Sequence, residues 1–189
     1  MGYFDERKNV AEYIRMAEGY DGRELIAILE TYLPAGSTVL ELGMGPGKDL
    51  DLMAKTYTVT GSDSSSAFLE LYRDKHPASD LLKLDAVRIE TERTFDCIYS
   101  NKVLHHLPKS DLHRSFARQK ELLTNDGLLM HSFWHGDKEE EHHGLRFVYY
   151  TGDELLNIID PGFEVVAMDR YKEMEDDDSF YILLCQGER

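Results

Sequence analysis

The sequence predicts an α/β protein: one doubly wound sheet of seven strands, mostly parallel, with one antiparallel C-terminal strand and helices on both faces. Three observations carry this expectation. Strand and helix patterns alternate almost without interruption along the 189 residues. A short apolar run, Thr38-Val39-Leu40-Glu41-Leu42, feeds a glycine turn, Gly43-Met44-Gly45-Pro46-Gly47, after which a helical pattern begins. Near the end, two apolar runs are joined by a connection too short for a crossover helix, so they must pair antiparallel.

The elements follow in order. Residues 3–18 and 22–33 read as two helices parted near Tyr20-Asp21-Gly22, with apolar faces from Ile14 and Ala17 and then from Leu25, Ile28, Leu29 and Leu33. Pro34-Ala35-Gly36 breaks the chain before the first strand. After the glycine turn come a helix at 47–55, a strand at 56–63, a helix at 65–75 and strands at 80–85 and 94–100. A helix at 109–123, a strand at 127–134 and a helix at 152–159 precede the final pair, Phe163–Met168 and Phe180–Cys185. One domain is expected over 1–189, with the helices of 1–36 over the cleft and the sheet built from 37–189; this length suffices for a real core.

The glycine turn is the informative part. Glycines there permit positive φ and let a ligand lie almost against the backbone. The second strand ends in Asp63, and an acid at that place can accept hydrogen bonds from ribose hydroxyls in folds that bind nicotinamide or S-adenosylmethionine. A dinucleotide site wants a third small residue at the position held by Lys48, and Gly47 comes one residue early. Glu41, two residues before Gly43, would face the cofactor with a carboxylate. S-adenosylmethionine carries a sulfonium and an ammonium and no phosphate, so it suits an acid there. It is the cofactor that fits; a nicotinamide oxidoreductase is the alternative.

Together, Glu-x-Gly-x-Gly-x-Gly at 41–47, Asp63, Leu84-Asp85-Ala86, Phe95-Asp96-Cys97-Ile98-Tyr99-Ser100-Asn101 and Val103-Leu104-His105-His106-Leu107 resemble class I S-adenosylmethionine-dependent methyltransferases of the small-molecule type. The resemblance spans about residues 37–186. It implies a Rossmann-like sheet of six parallel strands with one antiparallel strand inserted near the edge. It assigns Gly43, Gly45 and Gly47 to the turn beneath the methionine, and Glu41 to the cofactor's amino group. By the same resemblance, Asp63 takes the ribose hydroxyls, Ser64 lies beside the adenine, Asp85 meets the adenine amino group and Ala86 offers its N–H to a ring nitrogen. Ser100 and Asn101 would line the cleft near the methionine and the methyl. Plainer roles stand beside these: Asp85 as a turn carboxylate, Glu41 as a buried acid with an internal partner. Two departures matter. Met44 fills a site often held by a smaller residue, and Ser100-Asn101-Lys102-Val103 replaces the Asn-Pro-Pro-Tyr/Phe tetrad of nucleic-acid amino methylases.

Methyl transfer from a sulfonium needs alignment and exclusion of water above all, so the lack of a catalytic triad does not count against activity. The catalytic residue is unknown from sequence; the candidates are His105, His135 and Tyr149. The family often carries a Leu-His-His-Leu run, and for His105 and His106 packing is the competing role. The segment Ser132-Phe133-Trp134-His135-Gly136-Asp137 and then His142 to Tyr150 is expected either to floor an acceptor site or merely to cover the cofactor. His142 and His143 are adjacent and share no helical face, so no metal site is expected.

Composition narrows the partners. Twenty-one Lys and Arg against 36 Asp and Glu leave a formal charge of −15, which disfavours a nucleic-acid partner. No stretch has the length of a membrane span, and Met1–Glu6 lacks a signal-peptide pattern. Two cysteines without motif spacing, Cys97 and Cys185, fit a reducing, cytoplasmic setting. The acidic runs at Lys138–Glu141 and Glu173–Asp178 read as solvated loops or as a docking surface for cations. The expected function is transfer of a methyl group to a small-molecule acceptor by a monomer or homodimer; a protein methyltransferase and a catalytically idle cofactor-binding module are the other readings.

Overall fold

A computed structural model describes residues 4, 7–142, 144–175 and 178–187. The start of the helix expected from residue 3, the His143 imidazole and residues 176–177 of the second acidic run lie outside the described residues.

The chain runs α1 (Arg7–Met16), α2 (Arg23–Leu29), β1 (Thr38–Leu42), α3 (Lys48–Met53), β2 (Thr58–Asp63), α4 (Ser66–Lys75), β3 (Leu81–Lys83) and β4 (Phe95–Asn101). A 3-10 turn at Leu104–His106 follows, then α5 (Lys109–Leu122), β5 (Leu123–Trp134), β6 (Glu139–His142), β7 (Leu145–Val148), α6 (Gly152–Leu156), β8 (Phe163–Tyr171) and β9 (Ser179–Gln186). Seven strands form one sheet in the order β3-β2-β1-β4-β5-β9-β8. Only β9 runs against its neighbours, β5 and β8. The fold class read from the sequence is therefore the one found. Strand order reverses between β1 and β4, where neighbouring crossovers leave on opposite faces and open a crevice at the carboxyl ends.

Alternation along the strands makes two cores. Leu40, Leu42, Ile98 and Leu129 face Leu112 and Phe116 of α5 and Leu155 of α6. Val39, Cys97, Tyr99 and Met130 face Leu25, Ile26 and Leu29 of α2 and Met53 of α3. Both thiols are free, with Cys97 buried. Among the described residues, no helix is long and apolar enough to cross a membrane.

Two segments differ from expectation. The acidic run at 139–141 is a strand, because Glu139, Glu140 and Glu141 pair with Val148, Phe147 and Arg146 in a hairpin that an Arg146–Glu139 ion pair of 2.6 Å closes. β5 starts at Leu123 rather than 127: Leu123 pairs with Phe95, then the register shifts before Cys97 meets Leu128. Asp126 adopts φ 60° within that irregularity.

Asp96 ties the centre of the sheet. Its carboxylate accepts the Thr38 N–H and hydroxyl, each at 2.8 Å, and the Thr124 hydroxyl at 3.0 Å, joining β1, β4 and β5. These bonds, led by the Thr38 N–H, outweigh desolvation and hold its pKa below the usual aspartate range. A lowered pKa contributes stability that is fully present above the unfolded value of about 3.9 and is lost as pH falls through the native one. Asp96→Asn is expected to lose about 1 kcal/mol at neutral pH in urea unfolding, and the gap to wild type should close below about pH 4.

Candidate active site

The crevice is floored by the turn after β1. Gly43, Gly45 and Gly47 have φ of 71°, 48° and 82°. A Cβ on Gly43 would stand 2.6 Å from both Val103 methyls, and one on Gly47 would stand 2.2 Å from the Tyr72 ring. Above Gly45 lies Tyr13 of α1, at 3.7 Å from a Cβ built there. Tyr13 is held edge-on by Phe4 and by Phe68 of α4, at ring separations of 5.3 and 5.8 Å. The N-terminal helix thus folds over the glycine turn.

Asp63, at the tip of β2, accepts the Gly45 N–H at 3.0 Å and the Ser65 N–H at 2.8 Å, one on each oxygen. Burial raises its pKa, and these N–H groups act against that rise. Ser64 beside it is exposed. Glu41 is only 3 % exposed, and its Oε2 has no hydrogen-bond partner. Desolvation first, and then Asp49, Asp63 and Asp51, push its pKa well above the usual carboxyl range. The site therefore contains a buried acid whose missing partner is a cation or a hydrogen-bond donor.

Lys48 explains the departure from dinucleotide spacing. Its ammonium donates to the Ala17 carbonyl at 2.5 Å and the Tyr20 carbonyl at 3.2 Å, fastening the end of α1 to the turn. Its neighbour Asp49 does more. The Asp49 carboxylate accepts the Gly22 N–H at 2.6 Å, the Tyr99 hydroxyl at 2.8 Å and the Asn101 amide at 3.1 Å. Asn101 in turn accepts the Ser132 hydroxyl at 2.6 Å. A cavity of about 200 Å³ opens on Asn101 between Gly19–Leu25 and Tyr171–Glu173.

Ser100 does not present its hydroxyl to the crevice. It is fully buried, and its Oγ meets His131 Nδ1 at 2.8 Å. His131 Nε2 meets Gln119 Oε1 at 2.8 Å, the Gln119 amide donates to Ser115 at 3.0 Å, and Ser115 donates to the Ala86 carbonyl at 2.6 Å. Because an amide oxygen only accepts, the proton sits on His131 Nε2 and Nδ1 takes the Ser100 proton. Burial drives the His131 pKa down to about 3. Ala86 is thus held from behind by its carbonyl. Asp85 is exposed, and its Oδ1 accepts the Val87 and Arg88 N–H groups at 3.0 Å each.

The three catalytic candidates lie along the far side, near β6 and β7. His135 Nε2 accepts a guanidinium N–H of Arg170 at 2.7 Å. Tyr149 donates to Glu140 at 3.4 Å, and burial raises its pKa. His105 is buried against Phe147. Among the described residues, no group of three His, Cys, Asp or Glu could hold a metal ion.

Sequence reasoning passed over Asp49 and Lys102. An acid in a first helical turn is ordinary, so nothing marked Asp49. Lys102 adopts φ 54° directly after Asn101, and its ammonium lies 4.2 Å from the Trp134 ring centre. It donates to Tyr171 at 2.9 Å and Ser179 at 2.8 Å and pairs with Glu173 at 3.5 Å. Burial lowers its pKa to about 8, against the opposing pull of Glu173 and Asp178.

Residues 39–127 match the model of a family described as a methyltransferase domain. The chain is 33 % identical over 132 residues to a trans-aconitate 2-methyltransferase of Methylobacterium radiotolerans, a match covering 68 % of this chain and 50 % of that protein. It spans about half the length of such curated relatives. In fold, it resembles an S-adenosylmethionine-dependent methyltransferase from Clostridium acetobutylicum, with TM-score 0.77, 12 % identity and 97 % and 100 % of the two chains covered. It also resembles the Burkholderia thailandensis 1,6-didemethyltoxoflavin-N1-methyltransferase, solved with 1,6-didemethyltoxoflavin and S-adenosylhomocysteine bound. There the TM-score is 0.75 and the identity 20 %, with 100 % and 92 % covered.

Asp49→Ala strands three donors at once, two of them buried. It is expected to lower stability by about 2 kcal/mol or more, with Asp49→Asn intermediate, as read by chemical unfolding. Proteolysis between α1 and α2 should quicken in the same order. Nitrogen NMR of the His131 ring should show the neutral Nε2–H form throughout about pH 5 to 8, where a solvated imidazole titrates.

Proposed function

We propose that this chain is a class I S-adenosylmethionine-dependent methyltransferase, which binds S-adenosylmethionine over its glycine turn and transfers the methyl group to a small-molecule acceptor. Glu41 is the observation that carries the reading. A buried carboxyl with an unpartnered oxygen, surrounded by three aspartates, is costly unless a positive group completes it. A phosphate-bearing dinucleotide would add negative charge where the site already has too much.

Bound S-adenosylmethionine supplies a methyl on a sulfonium, whose departure in line with the attacking atom leaves a neutral thioether. The chain's residues hold and align. Glu41 accepts the ammonium. Gly43, Gly45 and Gly47 give the turn its shape beneath the methionine, since a Cβ at Gly43 or Gly47 would run into Val103 or Tyr72. Asp63 has spent one lone pair on each oxygen and keeps others for the ribose hydroxyls, with Ser64 beside the adenine. Asp85 Oδ2 meets the adenine amino group, and the Ala86 N–H, set by the Ser115 bond to its carbonyl, meets a ring nitrogen. The Ser100 backbone and the Asn101 amide border the methyl, and Tyr13 excludes water from above. The cavity on Asn101 is an approach for the acceptor.

The single-domain reading, with 1–36 over the cleft, is supported by the Lys48 and Asp49 bonds to the α1–α2 connection. The charge of −15 supports a partner other than nucleic acid. Free Cys97 and Cys185 support a reducing, cytoplasmic setting, and a monomer or homodimer is the proposed state.

Calorimetry with S-adenosylhomocysteine tests this reading, with micromolar binding expected. Asp63→Ala should weaken it by about 1–3 kcal/mol. The ammonium favours the ionised Glu41, so binding should release a proton and its heat should vary with the buffer's ionisation enthalpy. Glu41→Gln should bind more weakly and lose that buffer dependence; equal affinity in wild type and variant would remove Glu41 from the site.

A further inference from the structure

Among the described residues, His105 alone is a buried side chain with two polar atoms and no partner for either. It is 1 % exposed, and neither Nδ1 nor Nε2 has a hydrogen-bond partner. Phe147 of β7 stacks on its ring at 5.3 Å and 28°, and Trp134 at the tip of β5 approaches by its edge at 6.4 Å. His106, alongside at 4.0 Å, has an ordinary job: its Nδ1 donates to the Arg146 carbonyl and fixes the hairpin over the 3-10 turn. Desolvation, and then His106 and Lys102, lower the His105 pKa well below that of a free imidazole. The ring is therefore neutral, with one donor and one acceptor, both unused.

An orphaned buried polar group is costly. Phe or Leu would fill the same volume between Phe147 and Trp134 without that cost, so packing alone gives no reason for an imidazole. The surrounding surfaces are flat and aromatic. Lys102, the neighbouring cation, already serves Tyr171, Ser179 and Glu173, so the place offers a carboxylate little. It suits an uncharged donor.

We propose that His105 is the polar anchor of an acceptor subsite between the 3-10 turn and the β6–β7 hairpin, which takes a flat apolar ring bearing one O–H or N–H group. Phe147 yields its place on the imidazole to the ligand ring, and the ligand's donor satisfies the unprotonated nitrogen. The subsite lies four residues after Asn101, the last residue of β4. Only the word acceptor rests on the methyl-transfer reading; the pocket chemistry rests on the imidazole itself.

Phenol, toluene and benzoate separate the possibilities, because they share a ring and differ in the donor and the charge. Each is titrated into histidine-¹⁵N-labelled protein, with and without S-adenosylhomocysteine. Phenol is expected to bind about two- to tenfold more tightly than toluene, the range of one net hydrogen bond, and to shift the His105 ring nitrogens, with benzoate weakest. His105→Phe should fold with equal or greater stability and lose the phenol preference while still binding toluene. His105→Gln, which keeps a donor and an acceptor, should retain part of it. Equal binding of phenol and toluene to wild type, binding without a His105 shift, or no binding of any probe overturns the subsite. Failure of S-adenosylhomocysteine to bind while phenol still discriminates overturns only the cofactor reading.

Discussion

Three donors from two distant segments meet on one carboxylate: the Gly22 N–H before α2, and the Tyr99 hydroxyl and Asn101 amide of β4, all end on Asp49. Asp49 itself rides on the first turn of α3, directly behind the glycine loop. A buried charge in such a place is tolerable only because it is fully bonded. The bonds oblige the N-terminal helices, the loop and the β4 tip to keep fixed separations. Lys48 repeats the constraint from the preceding position, holding the end of α1 by two carbonyls. The crevice has its width because two adjacent residues, one cationic and one anionic, clamp it from both sides.

Much of this was legible where local chemistry decides. Gly43, Gly45 and Gly47 stand at positive φ because the turn demands it, and their spacing says so. Asp63 sits at a strand tip because the β-favouring run Thr56-Tyr57-Thr58-Val59-Thr60 leads into it. The antiparallel final strand follows from connection length alone. What escaped reading depends on partners far away in sequence. Three glutamates in a row at 139–141 have little β preference, and they form a strand by pairing with Leu145–Val148, whose Phe147 packs on His105. Ser100 looks identical to a cleft-lining serine until His131, 31 residues on, claims its hydroxyl. Asp85 shows the intermediate case, since one oxygen serves the turn and the other stays open.

Acids dominate the composition, yet the structure spends them individually. Asp178 gathers the N–H groups of Glu173, Met174 and Glu175 at 2.9 Å each, so the acidic connection between β8 and β9 is organised by one of its own members. Ser179 donates to Asp178 and accepts from Lys102, which carries that order back to the β4 tip. Glu173 is thereby held in the wall of the cavity at Asn101. Lys102 holds it from within, at a backbone conformation that L residues seldom adopt.

Tyr13 closes the glycine turn from above with ring edges on Phe4 and Phe68, beside Val10 and Ile14 packed in the same cluster. Whatever occupies that turn shares a wall with Tyr13, so its residence time is tied to how long α1 stays docked on α4. Aromatic edge contacts of this kind hold about 0.5–1.5 kcal/mol apiece, a modest latch. Substitutions in α1 would then act as timing changes on whatever the turn holds, with the turn itself left undisturbed.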